Sequence, residues 1–349
     1  AVSYSDSTPS LTFAEYDRVP RVGQITDASG TRTLGYDRGR VDSETYAASG
    51  ESWNGYSIER HFDDALRLDD VGITDGTNAL HNVSYAYSTD TGRLQTVSFV
   101  QDASPHTATY GYKAGTHLAN SIIQSRGPAE ILAVQKDFDN LHRIRGLSYN
   151  QSHQDLGMSY VYNAANQRQY TTTASGDYWR YDYDSLGQVT RAVKRLPSGQ
   201  LIPGYDFNYG FDEIGNRTYA RRDGDTLREQ LYYSGSDASG LNGANALNQY
   251  GSRTVPRLLG VLGKAHANAH VTANSQSATR AGDYFQVLLD YSGGSNPDDA
   301  RNESILLVGT YAGQGAGGSD AVAEVSTVAY LPPNPENFTF DADGNLSSD

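Results

Sequence analysis

The chain has 349 residues and a formal charge of −14 at pH 7, with 37% hydrophobic residues, 26 Tyr against 9 Phe, 36 Gly and no Cys. That length admits two or more folded units, and the acidity argues against sequence-independent binding to nucleic acid or an anionic membrane, which needs clustered Lys and Arg. The lack of Cys excludes disulfides, thiolate zinc sites and cysteine nucleophiles, and no apolar run reaches the roughly 18 residues of a spanning helix, so no membrane insertion is expected.

The opening AVSYSDST lacks the charged and apolar regions of a signal peptide, so a leader is either absent or already removed. From there to about Tyr250 the sequence predicts short strands broken by Gly, Asp, Asn and Ser. Aromatic residues recur at positions 36, 62, 87, 112, 138, 162, 183 and 211, separated by 21 to 28 residues. Most are followed by Asp or Asn, then a turn, then a β-branched return. In RYDYDSLGQVT (Arg180 to Thr190), Tyr181 and Tyr183 share one face of a strand while Asp182 takes the other. Asp184 then supplies turn hydrogen bonds, and Gly187 the positive φ of a short loop. FDEIGNRT (Phe211 to Thr218) is a close copy, whereas YSTDTGRLQTV, FDNLHRI and YNAANQR are looser ones. GPAEILAVQKDFDN (Gly127 to Asn140) is the best helix candidate, but its second half carries the repeat and reads better as strand.

From residue 251 to 335 the aromatic-Asp turn is absent, and alternating segments such as DYFQVLLDYS and SILLVGTYA predict a small antiparallel β-sandwich. PPNPEN then forms an extended linker into FDADGNLSSD, where residues 336–349 begin a further repeat and break off, as expected of a segment of something longer. The fold expected is all-β: hairpin repeats over 1–250, the sandwich over 251–335, and a last repeat start. Tyr162, Tyr181, Tyr183 and Phe211 are expected to form stacked aromatic rows, and Asp184, Gly187, Asp212, Gly215, Asp341 and Gly344 to make the turns.

WRYDYDSLGQVTRAV, FNYGFDEIGNRTYA and FTFDADGNLSSD resemble the YD repeats of the RHS/YD-repeat family, which includes teneurins and the cocoon subunits of insecticidal ABC toxin complexes. The resemblance covers residues 1 to 250 and 338 to 349. It implies hairpins wound into a spiralling sheet that forms a shell or strip, with tyrosines in ladders. The family's C-terminal self-cleaving core has no counterpart here, so no catalytic residue carries over. VLGKAHANAHVTANSQSATRAGDYFQVLL also resembles bacterial Ig-like modules.

Other motifs point to structure more than to chemistry. GQGAGG (Gly313 to Gly318) fits a dinucleotide fingerprint, yet the β-branched AVAEVSTVAYL that follows lacks a helix start, which favours a hairpin loop. Asp341, Asp343 and Asn345 begin like a calcium loop and then fail, with Leu346 in the place of Gly. His266 and His270 share a face without a third ligand, and His142 stands where other copies have Gly, suggesting a distorted turn. No hydrolase elbow, zinc-protease helix or P-loop is present, and no cofactor or metal is expected. Trp53, in the loop GESWNGY, is the candidate glycan contact, while Trp179 belongs to the ladder. The expected function is that of a bacterial, secreted, extracellular or cell-surface scaffold, casing or adhesin without catalysis. Its partners are other segments of the same polypeptide, copies of itself, or a glycan or protein cargo. A self-assembling fibre, a carbohydrate-binding module and a glycoside hydrolase are the alternatives.

Overall fold

The computed structural model describes residues 1–2, 10–47, 54–235 and 243–348. The chain is all-β: among the described residues the only helical segments are two 3-10 turns, Gln151–Leu156 and Ala316–Gly318, and no helix is long and apolar enough to cross a membrane. It divides into two units, Ala1–Gly157 and Met158–Asp349.

In the first unit, twelve strands from Thr12–Ala14 to Ile144–Tyr149 follow one another as a meander, each antiparallel to the next. Gly127–Asn140 reads in the structure as the strand Ala129–Phe138. No described side chain of this unit is fully buried. Its cohesion therefore comes from ladder hydrogen bonds and cross-strand pairs on two half-covered faces, not from a central core.

The second unit begins with the same meander, from Met158–Tyr162 through Asp225–Tyr233. The short strand Ser252–Arg253 pairs with Tyr232 and Tyr233 on one side and with Glu336–Asn337 on the other. The chain thus leaves the meander and returns to it at adjacent points. Arg253 pairs with Glu336, Val255 donates its N–H to Asn334 Oδ1 at 2.9 Å, and Arg257 Nη1 donates to the Pro332 carbonyl at 2.8 Å.

Between these points lies an antiparallel sandwich. One sheet holds Leu258–Lys264, Tyr284–Asp290 and Thr279–Ala281; the other holds Gln276–Ser277, His270–Ala273, Arg301–Tyr311 and Ala321–Leu331. Val271, Ala273, Phe285, Val287, Leu289 and Ile305 fill the space between them. The strand Tyr284–Asp290 shows how period-2 alternation serves two neighbours. Phe285, Val287 and Leu289 enter this core, while the equally buried Tyr284 and Gln286 face the hairpins. GQGAGG joins the antiparallel strands Arg301–Tyr311 and Ala321–Leu331, so the parallel strand-helix setting of a dinucleotide site does not exist there.

Candidate functional site

The recurrent feature of the chain is its repeat turn. Among the described residues, seven copies open on Asp or Asn, at Asp63, Asp139, Asn163, Asp184, Asp212, Asn245 and Asp341. In each, the first residue donates its N–H to the fifth carbonyl, and the fourth N–H returns to the first carbonyl. The fourth residue always has positive φ, from 60° at Leu66 and Asn248 to 93° at Gly215. The first side chain closes the loop: Asp212 Oδ1 accepts the N–H of Ile214 at 3.1 Å and of Asn216 at 2.8 Å, and its Oδ2 accepts Asn216 Nδ2 at 3.0 Å. Asp184 does the same with Leu186 and Gln188, Asp63 with Arg67, and Asp341 with Asp343 and Asn345. One carboxylate satisfies the donors that a tight loop would otherwise leave to water.

At six of these hairpins, all but the one at Asn245, the pairing shifts by one residue at the repeat aromatic, with the extra residue on the return strand. The shift falls at Phe62, Phe138, Tyr162, Tyr183, Phe211 and Phe340, and also at Tyr36, Tyr87 and Tyr112. Such a bulge re-aims the aromatic side chain. Four tyrosines use that aim to reach the preceding turn. The hydroxyl of Tyr36 donates to the Val22 carbonyl at 2.8 Å, Tyr87 to Leu68 at 2.9 Å, Tyr112 to Leu94 at 2.7 Å and Tyr183 to Arg168 at 2.6 Å. Arginines of the same turns lie over the rings: Arg21 is 4.6 Å from the Tyr36 centroid, Arg67 4.3 Å from Tyr87 and Arg93 5.4 Å from Tyr112. Each adds about 0.5–1 kcal/mol at such half-exposed sites.

The turns also touch one another. A Cβ on Gly187 would lie 3.0 Å from Gln167 Nε2, and one on Gly215 3.1 Å from Gln188 Oε1. Glycine there supplies the positive φ and the space for the previous turn's fifth side chain. Arg67 Nη1 reaches the Gly92 carbonyl at 3.1 Å, and Asn216 Nδ2 reaches Asn248 Oδ1 at 3.3 Å.

Of the residues expected to form aromatic rows, Tyr181 stacks on Trp179 at 6.4 Å, and Trp179 also meets Phe207 at 6.0 Å and Tyr205 at 6.1 Å. Tyr183 reaches the Arg168 carbonyl as above, while Tyr162 and Phe211 stand opposite Arg168 and Arg217 across the bulges. Trp53 lies outside the described residues. His266 stacks on Tyr311 at 4.3 Å, and no group of three metal-ligating side chains is gathered among the described residues.

His142 keeps the turn undistorted, at φ 62° with its N–H 3.1 Å from the Asp139 carbonyl. A side chain in that region costs about 1 kcal/mol more than glycine does. His142→Gly is therefore expected to stabilise the chain by roughly 0.5–1 kcal/mol, read as a higher urea midpoint.

Sequence reasoning missed two further turns. Asn245-Ala246-Leu247-Asn248-Gln249 repeats the hydrogen bonds of the others, and Asp17 accepts Val19 N–H, Arg21 N–H and Arg21 Nε in a variant without the positive-φ residue. The signal was an Asp or Asn followed four places later by Arg, Asn or Gln.

Five of the turn carboxyls, those of Asp17, Asp63, Asp139, Asp212 and Asp341, titrate below the ordinary 3.8. Asp63 is held down first by the Arg67 N–H, Asp341 by the Asn345 side chain and Asp17 by the Arg21 side chain. For Asp139 and Asp212, burial pushes upward first, and hydrogen bonds from Arg143 and from Asn216 and its neighbours outweigh it. A lowered folded value contributes stability that is present above 3.8 and is lost as pH falls through that value. The urea midpoint is expected to hold above about pH 5 and to drop below about pH 4. Asp63→Asn, which keeps an acceptor as Asn163 does, should lessen that drop.

The sandwich is fastened to the hairpins by a buried polar chain. Tyr284 Oη donates to Asp177 Oδ2 at 2.6 Å and accepts from Lys194 Nζ at 2.8 Å. Burial, then the Asp177 hydrogen bond, pushes the Tyr284 hydroxyl above its usual range. Gln286 Nε2 donates to Asp223 Oδ2 at 3.0 Å, and the buried Arg228 pairs with that same Asp223.

No family model and no curated protein matches the chain. Among solved structures it is similar to a TcdB2-TccC3-Cdc42 crystal structure, with a TM-score of 0.43 and 15% identity over 94% of this chain and 17% of that one. A Photorhabdus luminescens Tc holotoxin pore gives 0.41 and 14% identity over 97% and 17%. A porin-like protein of Bacteroides uniformis gives 0.18 and 12% identity over 80% and 94%. The chain spans 17% of the length of each of the two Tc chains. All three scores are low, and the all-β hairpin fold stands on the strand pairing described above.

Proposed function

We propose that this chain is a structural segment of YD-repeat type, exported to the cell surface or beyond, that carries an Ig-like module and acts as scaffold or casing without catalysis. The observation that carries this reading is the repeat turn, in which the same residue types make the same bonds and, within each unit, glycines of one turn pack against a side chain of the turn before it, as Gly187 does with Gln167 and Gly92 with Arg67. Repetition of that kind builds a wall by adding equivalent units. The half-covered faces of the first unit fit a sheet that meets other segments of a larger polypeptide or a cargo.

Two measurements test it. Fractionation of producing cells should place the chain in the medium or on the surface, and the purified chain should turn over none of a broad panel of polysaccharides and peptides. A strictly intracellular pool overturns the placement. Turnover that survives repurification and vanishes on changing a single carboxylate overturns the non-catalytic reading.

A further inference from the structure

A groove of about 370 Å³ lies within the second unit, between the hairpin strands Leu201–Phe211 and Arg217–Arg222 and the sandwich. Its hairpin wall presents two guanidiniums stacked on rings: Arg217 sits 4.7 Å from the Tyr209 centroid, and Arg222 sits 5.0 Å from that of Phe207. Both arginines are exposed, and neither makes an ion pair among the described residues. The acidic groups around them are engaged elsewhere, Glu229 with Arg221 at 2.5 Å and Asp223 with Arg228. Arg222 adds positive charge beside the buried Arg228, whose own pKa falls first through burial. No Asp or Glu lines the groove, although the chain as a whole carries −14.

Phe207 and Tyr209 are two residues apart on one strand, so the two residues whose rings carry the guanidiniums are separated by about 7 Å along it. That is also the spacing of side chains at alternate positions of an extended peptide. A guanidinium stacked by its face leaves its N–H edge free for bidentate pairing with a carboxylate. The opposite wall is apolar, with Val255, Leu259 and Pro332.

We propose that this groove binds an extended acidic peptide segment that places two carboxylates at alternate positions, one on each of Arg217 and Arg222, with an apolar residue near the opposite wall. The rings themselves are covered by guanidinium, which disfavours a stacked sugar. The site does not depend on the scaffold reading, since any exported or intracellular protein could use it.

The test is fluorescence anisotropy with dye-labelled Gly-Glu-Val-Glu-Gly and its amide counterpart Gly-Gln-Val-Gln-Gly. The Glu peptide should bind saturably and weaken as salt rises, and the Gln peptide should bind at least roughly tenfold more weakly. Arg217→Gln combined with Arg222→Gln should lose at least about tenfold, whereas Arg18→Gln with Arg126→Gln, which removes the same charge at exposed sites in the first unit, should bind as the parent does. R222K provides a second reading in a protein that keeps its charge, with affinity reduced because the bidentate edge is lost. Absent binding, equal affinity for both peptides, an unaltered double variant or an equal loss in the Arg18 and Arg126 pair overturns the proposal. Tighter binding of an oligogalacturonate than of the Glu peptide overturns the peptide assignment.

Discussion

Asp177→Ala is expected to destabilise the second unit by about 3 kcal/mol. Only 5% of Asp177 is exposed, and its carboxylate is the acceptor for the Tyr284 hydroxyl, which in turn accepts from Lys194. Removing it leaves a buried hydroxyl donor without its partner and an ammonium without the negative end of the chain. Lys194 already lies 4.5 Å from the Tyr284 centroid, and Lys264 lies 4.4 Å from it, so the ring is flanked by two cations that the carboxylate offsets. The measurement is urea unfolding followed by Trp179 fluorescence in a Trp53→Phe background, because Trp179 meets Tyr205 and Tyr205 meets Tyr284 at 5.9 Å. Tyr284→Phe alone should cost somewhat less, and the double variant should show a coupling of about 1–2 kcal/mol. Additive losses would mean that the two groups are held independently and that the sandwich is fastened by its apolar contacts instead.

Much of this architecture was legible in the sequence for a physical reason: a hairpin repeat is a local device. The bonds that shape the turn at Asp184 run no farther than Gln188, so RYDYDSLGQVT contains nearly everything that determines its own conformation. The same holds for Asp212 with Gly215 and for Asp341 with Gly344. The turn at Asn245 went unseen because no aromatic-Asp pair marks it, although Asn does the work of Asp and Asn248 does that of Gly. His142 misled in a similar way, since its backbone adopts the positive φ that a glycine would supply.

What the sequence did not reveal was long-range. Asp177 and Tyr284 are 107 positions apart, and no spacing rule connects them. The guanidiniums over Tyr36 and Tyr87 were equally hidden, because a bulge, not the alternation of the strand, decides where those rings point. Ring-on-ring rows are what alternation alone suggests. Arginines from the preceding turn take up ring faces that a neighbouring tyrosine would otherwise cover.

Phe285→Ala should have the largest effect, a loss of about 3–5 kcal/mol. Phe285 is buried in the sandwich core among Val271, Ala273, Val287, Leu289 and Ile305. Across the ladder it faces Gly263, where a Cβ would come within 2.5 Å of the ring. The ring therefore fills the space that Gly263 vacates, and its truncation opens a cavity that the glycine backbone cannot close. Small domains have only about 5–15 kcal/mol to lose, so the sandwich should melt well before the parent, while the hairpins, whose bonds are local, keep their strand content. Circular dichroism would then show a partial early transition in place of a single one. The consequence extends to the groove, because Val255, Leu259 and Pro332 border the sandwich and Arg217 and Arg222 do not. Between the two transitions, Gly-Glu-Val-Glu-Gly should bind weakly to the arginine wall alone, with the discrimination against the Gln peptide preserved and the apolar contribution gone. A single cooperative transition in Phe285→Ala would instead show that sandwich and hairpins unfold as one body, and that the polar chain through Tyr284 couples them more tightly than their separate cores suggest.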